Sequence, residues 1–188
     1  EIIAGTSAGA IVRGLYAFGK SPNEILDFFK SVYFFNWKHF TLTKPGFINS
    51  DIFRLYLKPI IGEIKIKDLK KELIINATDL IQGETFVFSG DDYLLDAIIA
   101  SCSVPGLASP FKKDELLLSD GGILNNFPTN LIKEKCDKLI GVYVAPLQDV
   151  KNNQLNSIKA VATRAYELLS YSVENYKFKD CDWFISPK

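Results

Sequence analysis

Apolar positions along the chain fall into two rhythms. Ile2-Ile3-Ala4 is a short unbroken apolar run, which predicts a buried strand. Directly after it, Ile11, Leu15 and Phe18 recur at helical spacing with Ala8 and Ala10 beside them, and Gly19 supplies a helix stop. Ser21-Pro22-Asn23-Glu24 has the form of a capping box with proline at the first helical position, so a second helix is expected to run to Val32. Asn49-Ser50-Asp51 reads as the cap of a third helix, with Pro59 as its expected stop. Leu73-Ile74-Ile75-Asn76-Ala77 and Thr85-Phe86-Val87-Phe88 read as strands, with a glycine turn at Gln82-Gly83-Glu84 between them. A helix is expected from Tyr93 to Ser101, ended by Val104-Pro105-Gly106. Leu116-Leu117-Leu118 predicts a strand leading into Asp120, and Leu139 to Val144 another, stopped by Pro146. Asn156 to Tyr176 reads as a long helix and Trp183-Phe184-Ile185 as a last strand.

Strands and helices therefore alternate, and the strand runs are continuously apolar rather than half polar. That combination predicts a three-layer α/β domain with a largely parallel central sheet buried on both faces. A length of 188 residues suits one domain. It is also enough to bury a core without disulfide or metal staples.

Composition narrows the function classes. Lys+Arg and Asp+Glu are equal at 22 each, so no overall basic field draws the chain to nucleic acid. Three scattered cysteines, Cys102, Cys136 and Cys181, contain no Cys-x-x-Cys and suggest neither a disulfide framework nor a zinc site. Free thiols fit a reducing compartment, and a cytoplasmic location is the expectation. No apolar run reaches the roughly 18 residues of a membrane span. The chain opens on Glu1-Ile2-Ile3-Ala4-Gly5, inside a strand and without methionine, so the expectation is a single domain over 1–188 trimmed at its N-terminus, and at its C-terminus as well.

Gly5-Thr6-Ser7-Ala8-Gly9 is Gly-x-Ser-x-Gly between an apolar strand and an amphipathic helix, the setting of a nucleophile elbow. A strand that must become a helix over so few residues puts Ser7 at a strained apex. Gly5 and Gly9, lacking Cβ atoms, are expected to let strand and helix approach closely. Ser7 then sits at a helix N-terminus, where unpaired N–H groups favour developing negative charge, and the Ala8 N–H is a candidate oxyanion donor.

A serine hydroxyl needs a base. The chain has one histidine, His39, lodged in Asn36-Trp37-Lys38-His39-Phe40, and none later where a Ser-His-Asp order would require it. Asp120 follows an apolar strand and is expected at that strand's carboxyl end, where sites gather in parallel sheets. Gly121 and Gly122 would turn the backbone sharply and leave room for substrate. The bare Asp-Gly pair is also a common turn.

Three segments in order carry a family resemblance. Ile3-Ala4-Gly5-Thr6-Ser7-Ala8-Gly9-Ala10 resembles the nucleophile elbow of patatin-like phospholipases. Ser119-Asp120-Gly121-Gly122-Ile123-Leu124-Asn125-Asn126-Phe127-Pro128 resembles that family's second motif, and Ala100-Ser101-Cys102-Ser103-Val104-Pro105-Gly106 its Ala-Ser-x-x-Ile/Val-Pro segment. Ala77-Thr78-Asp79-Leu80 and Gly83-Glu84 follow its usual course. The resemblance implies a patatin-like α/β/α fold and a serine acyl hydrolase of phospholipids or related acyl esters. Ser7 would be the nucleophile and Asp120 the general base, with no metal or other cofactor. The family's glycine-rich oxyanion loop, which precedes the elbow, is absent from this sequence. Losing one oxyanion donor typically costs about 100- to 1000-fold in turnover. Two alternatives stay open at this point: a catalytically silent lipid-binding or interaction domain, and a Ser-His-Asp α/β-hydrolase esterase.

Other candidates have plainer readings. The aromatic stretch Tyr33 to Phe47, with Lys30, Lys38 and Lys44, could form an acyl wall or a transient membrane-surface contact, against ordinary helix packing. Cys102 with His39 would be a thiol dyad, against a buried inert cysteine. Asp79, Asp91, Asp92 and Asp96 lack calcium-loop spacing and read as caps and surface charge.

Overall fold

The computed structural model describes residues 1–32 and 51–187. His39 and the aromatic stretch Tyr33 to Phe47 lie outside the described residues.

The chain begins with β1 (Ile2–Gly5) and α1 (Ala8–Phe18). Gly19, at φ 115, ends α1 by turning its N–H back to the carbonyl of Leu15. In α2 (Pro22–Ser31) the capping box forms as the sequence predicts, with Ser21 and Glu24 each satisfying the other's backbone N–H. Then follow α3 (Asp51–Ile61), β2 (Glu72–Asp79), β3 (Glu84–Phe88) and α4 (Leu94–Ser101). The chain continues through β4 (Phe111–Lys113), β5 (Leu116–Asp120), β6 (Ile140–Val142), α5 (Ile158–Glu174) and β7 (Trp183–Ile185). Pro59 does not stop α3: the helix runs two residues past it, and the turn closes where Gly62, at φ 62, bonds the carbonyl of Lys58. Pro59 removes only the N–H that would have reached the Leu55 carbonyl, and the helix continues on the bonds around it.

The α/β class holds, but the sheet is mixed rather than largely parallel. In the larger sheet β1 pairs with β2 in parallel, whereas β2–β3, β2–β5 and β4–β5 are antiparallel. Continuous apolar runs report burial on both faces and carry no direction. The short Leu80–Gly83 link makes β2–β3 a hairpin, and direction follows from such links. β4 went unpredicted because Phe-Lys-Lys has no strand pattern; it forms as the partner of β5 across a turn where Asp114 takes φ 52.

β2 is the hub. Leu73, Ile75 and Ala77 face a core shared with Leu15, Leu57, Leu94, Ile98 and Leu118, while Ile74 faces the opposite side with Ala4, Ile132 and Leu139. Helices α1, α3 and α4 cover the first face. On the other side α5 meets an aromatic group in which Tyr171 and Phe127 pack with Tyr143, Phe178 and Phe184 beside the parallel pair β6–β7.

The pairing register places the site. Ile75 pairs with both Gly5 and Phe88, and Ala77 with both Asp120 and Phe86. Since β3 occupies one edge of β2, β1 and β5 share the other, laid end to end with Asn76 at the junction. Their carboxyl ends converge although the two strands run in opposite directions.

Candidate active site

Ser7 sits between β1 and α1 at φ 52 and ψ −124, one of two non-glycine residues with positive φ among those described. Such a conformation costs on the order of 1–3 kcal/mol and persists only where the surroundings enforce it. Here they do. The Ser7 N–H donates to Oγ of Ser101 at 2.9 Å, and its carbonyl accepts from the Cys102 thiol at 3.2 Å. Ala8 is exposed and is the first residue of α1, so its N–H has no carbonyl one turn earlier to bond.

The two elbow glycines play different parts. A Cβ on Gly5 would lie 2.5 Å from the carbonyl oxygen of Gly9 and 2.9 Å from Cδ of Arg13, so Gly5 is what lets strand and helix meet. A Cβ on Gly9 would only touch Nη1 of Arg13 at 3.5 Å, ordinary contact. The expectation that Gly9 serves the same close approach is therefore corrected. Gly9 instead forms the floor on which the guanidinium of Arg13 lies. That guanidinium has no ion-pair partner among the described residues, and burial pulls its pKa down. Its place beside the elbow could not be read from the sequence, where Arg13 is simply a polar position on an amphipathic helix.

Asp120 ends β5 and is 3% exposed. Its Oδ1 accepts the N–H of Gly122 at 2.6 Å, whereas Oδ2 is buried with no hydrogen-bond partner among the described residues. Burial raises its pKa to about 6, against the Ser7 hydroxyl and the Gly122 N–H, both of which favour the carboxylate. The register thus brings the ends of β1 and β5, which carry Ser7 and Asp120, to one junction on β2, where the Ser7 hydroxyl favours the ionised form of the carboxyl. Tyr166 of α5 also feels the Asp120 charge, second to burial, in raising its own pKa.

Gly121 and Gly122 do not open space for a substrate, as the sequence suggested. A Cβ on Gly121 would run into the backbone oxygen of Asn76, its Nδ2 at 2.5 Å and Cγ2 of Thr6 at 2.9 Å. On Gly122 it would meet Oδ1 of Asp120 at 2.8 Å. These glycines let the turn press against β2 and let the carboxylate fold back over its own backbone.

Asn76, fully buried, ties the two strand ends together. Its Oδ1 accepts from Oγ1 of Thr6 at 2.7 Å, and its Nδ2 donates to the carbonyl of Asn125 at 2.9 Å. Sequence reasoning passed over Asn76 as one more strand residue; a polar side chain in the middle of a continuous apolar run was the available signal. Behind the turn, Ser103 fixes Asp120 from its other side, its carbonyl accepting from the Asp120 N–H at 2.9 Å.

The remaining candidates take structural parts. Asp91 pairs with Lys65 and Lys67, Asp92 with Lys113, and Asp96 with Arg54. Asp79 is buried rather than on the surface and caps its own turn through the N–H of Ile81. Burial and the neighbouring Asp120 hold the Cys102 thiol protonated, the opposite of what a nucleophilic cysteine needs. Among the described residues no group of three or more His, Cys, Asp or Glu is arranged to hold a metal ion. No helix among them is long and apolar enough to cross a membrane.

A mixed sheet whose strand ends deliver a strained serine and a buried aspartate to one point defines an α/β domain built around a nucleophile elbow. The chain belongs to the patatin-like phospholipase family, whose profile matches residues 1–132. It is 32% identical over 130 residues to an uncharacterized NTE family protein of Mycobacterium tuberculosis, a match covering 67% of this chain and 35% of that protein. It is 32% identical over 157 residues to lysophospholipase NTE1 of Meyerozyma guilliermondii, covering 79% of this chain and 11% of the yeast protein. An uncharacterized protein of Acanthamoeba polyphaga mimivirus is 27% identical over 162 residues, covering 77% of this chain and 54% of that protein. The chain thus spans about a third of the mycobacterial relative and about a tenth of the yeast one.

Proposed function

We propose that this domain is a serine acyl hydrolase acting on lysophospholipids or related acyl lipids through a Ser7–Asp120 dyad. The observation that carries the reading is the Asp120 carboxyl: one oxygen is held by Gly122, the other is buried with no hydrogen-bond partner among the described residues, and the Ser7 hydroxyl favours the charged form of the group. A buried acceptor left without a donor costs free energy unless it has work to do. Catalytic hydrogen bonds are commonly incomplete before substrate arrives. The lipid substrate class is supported by the family and by the lysophospholipase name of the yeast relative.

In the first step Ser7 Oγ attacks the ester carbonyl carbon and its proton passes to Asp120 Oδ2. The carbonyl oxygen becomes an oxyanion facing the Ala8 N–H at the start of α1, where unpaired donors favour negative charge. Collapse breaks the ester C–O bond, and Asp120 returns its proton to the departing alcohol oxygen. A water molecule then attacks the acyl-Ser7 carbonyl, giving its proton to Asp120. Collapse of this second adduct releases the fatty acid and restores the Ser7 hydroxyl with that same proton. A proton acceptor with pKa about 6 is mostly ionised at neutral pH yet basic enough to take a proton in the transition state.

Transient contact with a membrane surface completes the reading. It is supported by apolar side chains left open on α5, with Ile158 at 91% and Leu169 at 67% exposure. The test is labelling of the full-length protein with a fluorophosphonate probe, alongside hydrolysis of a lysophosphatidylcholine. Labelling lost in Ser7→Ala, with turnover lost in Asp120→Asn, is the expected result. A full-length protein that neither labels nor hydrolyses leaves the silent lipid-binding alternative standing.

A further inference from the structure

Beyond the dyad, a buried ion pair at the far end of the chain grips the loop that carries Asp120. Glu174 in the last turn of α5 is 1% exposed, and Lys177, just beyond the helix, is 4% exposed. Their charged groups are 2.8 Å apart. Each also reaches the loop. Glu174 accepts the N–H of Asn126 on Oε1 at 2.7 Å and the N–H of Phe127 on Oε2 at 3.0 Å. Lys177 donates to Oδ1 of Asn125 at 2.7 Å.

Asn125 is the link to the site. Its backbone N–H bonds the carbonyl of Gly121 at 2.8 Å, and its own carbonyl accepts from Asn76 and Thr6. The loop 121–127 is therefore held between two polar clamps. One is Asn76 with the elbow residue Thr6; the other is the Glu174–Lys177 pair. Asp120 and Gly122, whose N–H fixes Oδ1, sit at the mouth of this loop.

We propose that Glu174 and Lys177 are positioning residues of the catalytic dyad, fixing the 121–127 loop so that Asp120 Oδ2 faces Ser7. The inference rests on the hydrolase reading of the site. Burying two charges costs several kcal/mol per ion before their attraction offsets it, and such a pair often adds nothing over apolar residues of equal volume. Three charge-assisted bonds that converge on one short loop set its backbone register instead. Both residues lie past residue 132, where the family match ends, so the catalytic unit reaches further along the chain than that match.

The test measures kcat, KM and the pH profile of the full-length protein on the soluble ester 4-nitrophenyl butyrate, for wild type, Glu174→Gln and Asn125→Ala. Glu174→Gln turns an amide donor toward a backbone N–H, while Asn125→Ala removes only the acceptor of Lys177 and leaves the ion pair whole. A displaced carboxylate should lower kcat by roughly 10- to 100-fold with KM nearly unchanged, and shift the acid limb of the profile. If Glu174→Gln does not fold, Asn125→Ala carries the same readouts. Variants that fold, turn over at the wild-type rate and keep the wild-type acid limb defeat the positioning role while leaving the hydrolase reading intact. A wild type without activity defeats the hydrolase reading instead.

Discussion

Gly5 and Asp120 end two strands that run toward each other along one edge of β2, two register positions apart on that strand. The convergence explains how a mixed sheet does what a parallel one is expected to do. Carboxyl ends normally gather on one side because the strands point the same way. Here β1 and β5 point in opposite directions, and they meet because β2 is long enough to pair with both. The gap between them is one residue wide, and Asn76 fills it.

Asn76 should therefore matter to both stability and turnover. In Asn76→Ala the Thr6 hydroxyl loses its partner Oδ1, and the Asn125 carbonyl loses one of its two donors. The Thr6 hydroxyl and the Asn125 carbonyl still have each other, so each bond lost costs about 0.5–1.5 kcal/mol. Chemical denaturation should show a loss of that order, and kcat should fall with it. A variant as stable as wild type would mean the junction is held by strand pairing alone.

Activity should depend on pH through Asp120. As the proposed base it works only when ionised, and its pKa stands at about 6, raised chiefly by burial. kcat/KM on a soluble ester is expected to fall tenfold per pH unit well below that value. It should stay level from there until another group titrates on the alkaline side. An acid limb that survives Asp120→Asn unchanged would assign the ionisation elsewhere.

The same shift has a consequence for folding. The ordinary carboxyl value is 3.8 and the folded value about 6, so the ionised form is the one the fold disfavours. Below 3.8 the group is protonated in both states and the penalty vanishes; it grows as pH rises to about 6 and is complete above that. Its size is on the order of 3 kcal/mol. Asp120→Asn, which keeps an oxygen for the Gly122 N–H, should thus be inactive yet more stable than wild type at pH 8. Thermal unfolding at pH 8 and at pH 3.5 should show that advantage in the first and not in the second.

Gly5 and Gly9 look equivalent in the motif and should not behave so. Gly5→Ala drives a methyl into backbone at 2.5 Å, and backbone cannot swing aside. The cost should reach about 1–3 kcal/mol or more, with loss of fluorophosphonate labelling as the elbow shifts. Gly9→Ala places its methyl 3.5 Å from a flexible guanidinium and should fold and label close to wild type. Equal damage from both would contradict the elbow geometry described above.

How much of this was legible in the sequence depends on the kind of signal each feature leaves. Ser7 carries a local signal, since strand, Gly-x-Ser-x-Gly and helix all lie within a few residues, and α2 announced its start through Ser21 and Glu24. Asp120 is singled out by its place after a strand and by the family motif around it. Sheet direction left no such trace, because burial on both faces erases the alternation that would betray an antiparallel pair. The 177-to-125 and 76-to-6 bonds were likewise invisible. Each joins residues far apart in the chain, and neither Glu174, the last residue of α5, nor Lys177 just beyond it stands out among polar neighbours until the fold buries it.

The last prediction concerns His39, which lies outside the described residues and is the chain's only histidine. A Ser-His-Asp mechanism makes that imidazole the proton carrier and Asp120 its orienting partner. In the dyad, Asp120 takes the proton itself, and among the described residues its buried Oδ2 has no hydrogen-bond partner while the Ser7 hydroxyl favours the ionised carboxyl. The two mechanisms separate cleanly in His39→Ala. In the dyad, kcat stays within a factor of about two, as expected of a substitution that touches no transition-state contact. If His39 is the base, removing it costs orders of magnitude, as removing Asp120 does. The measurement is ester hydrolysis by the full-length His39→Ala protein, normalised to the fraction that labels with fluorophosphonate. Low turnover per labelled site would transfer the base role to the histidine and leave Asp120 as its support.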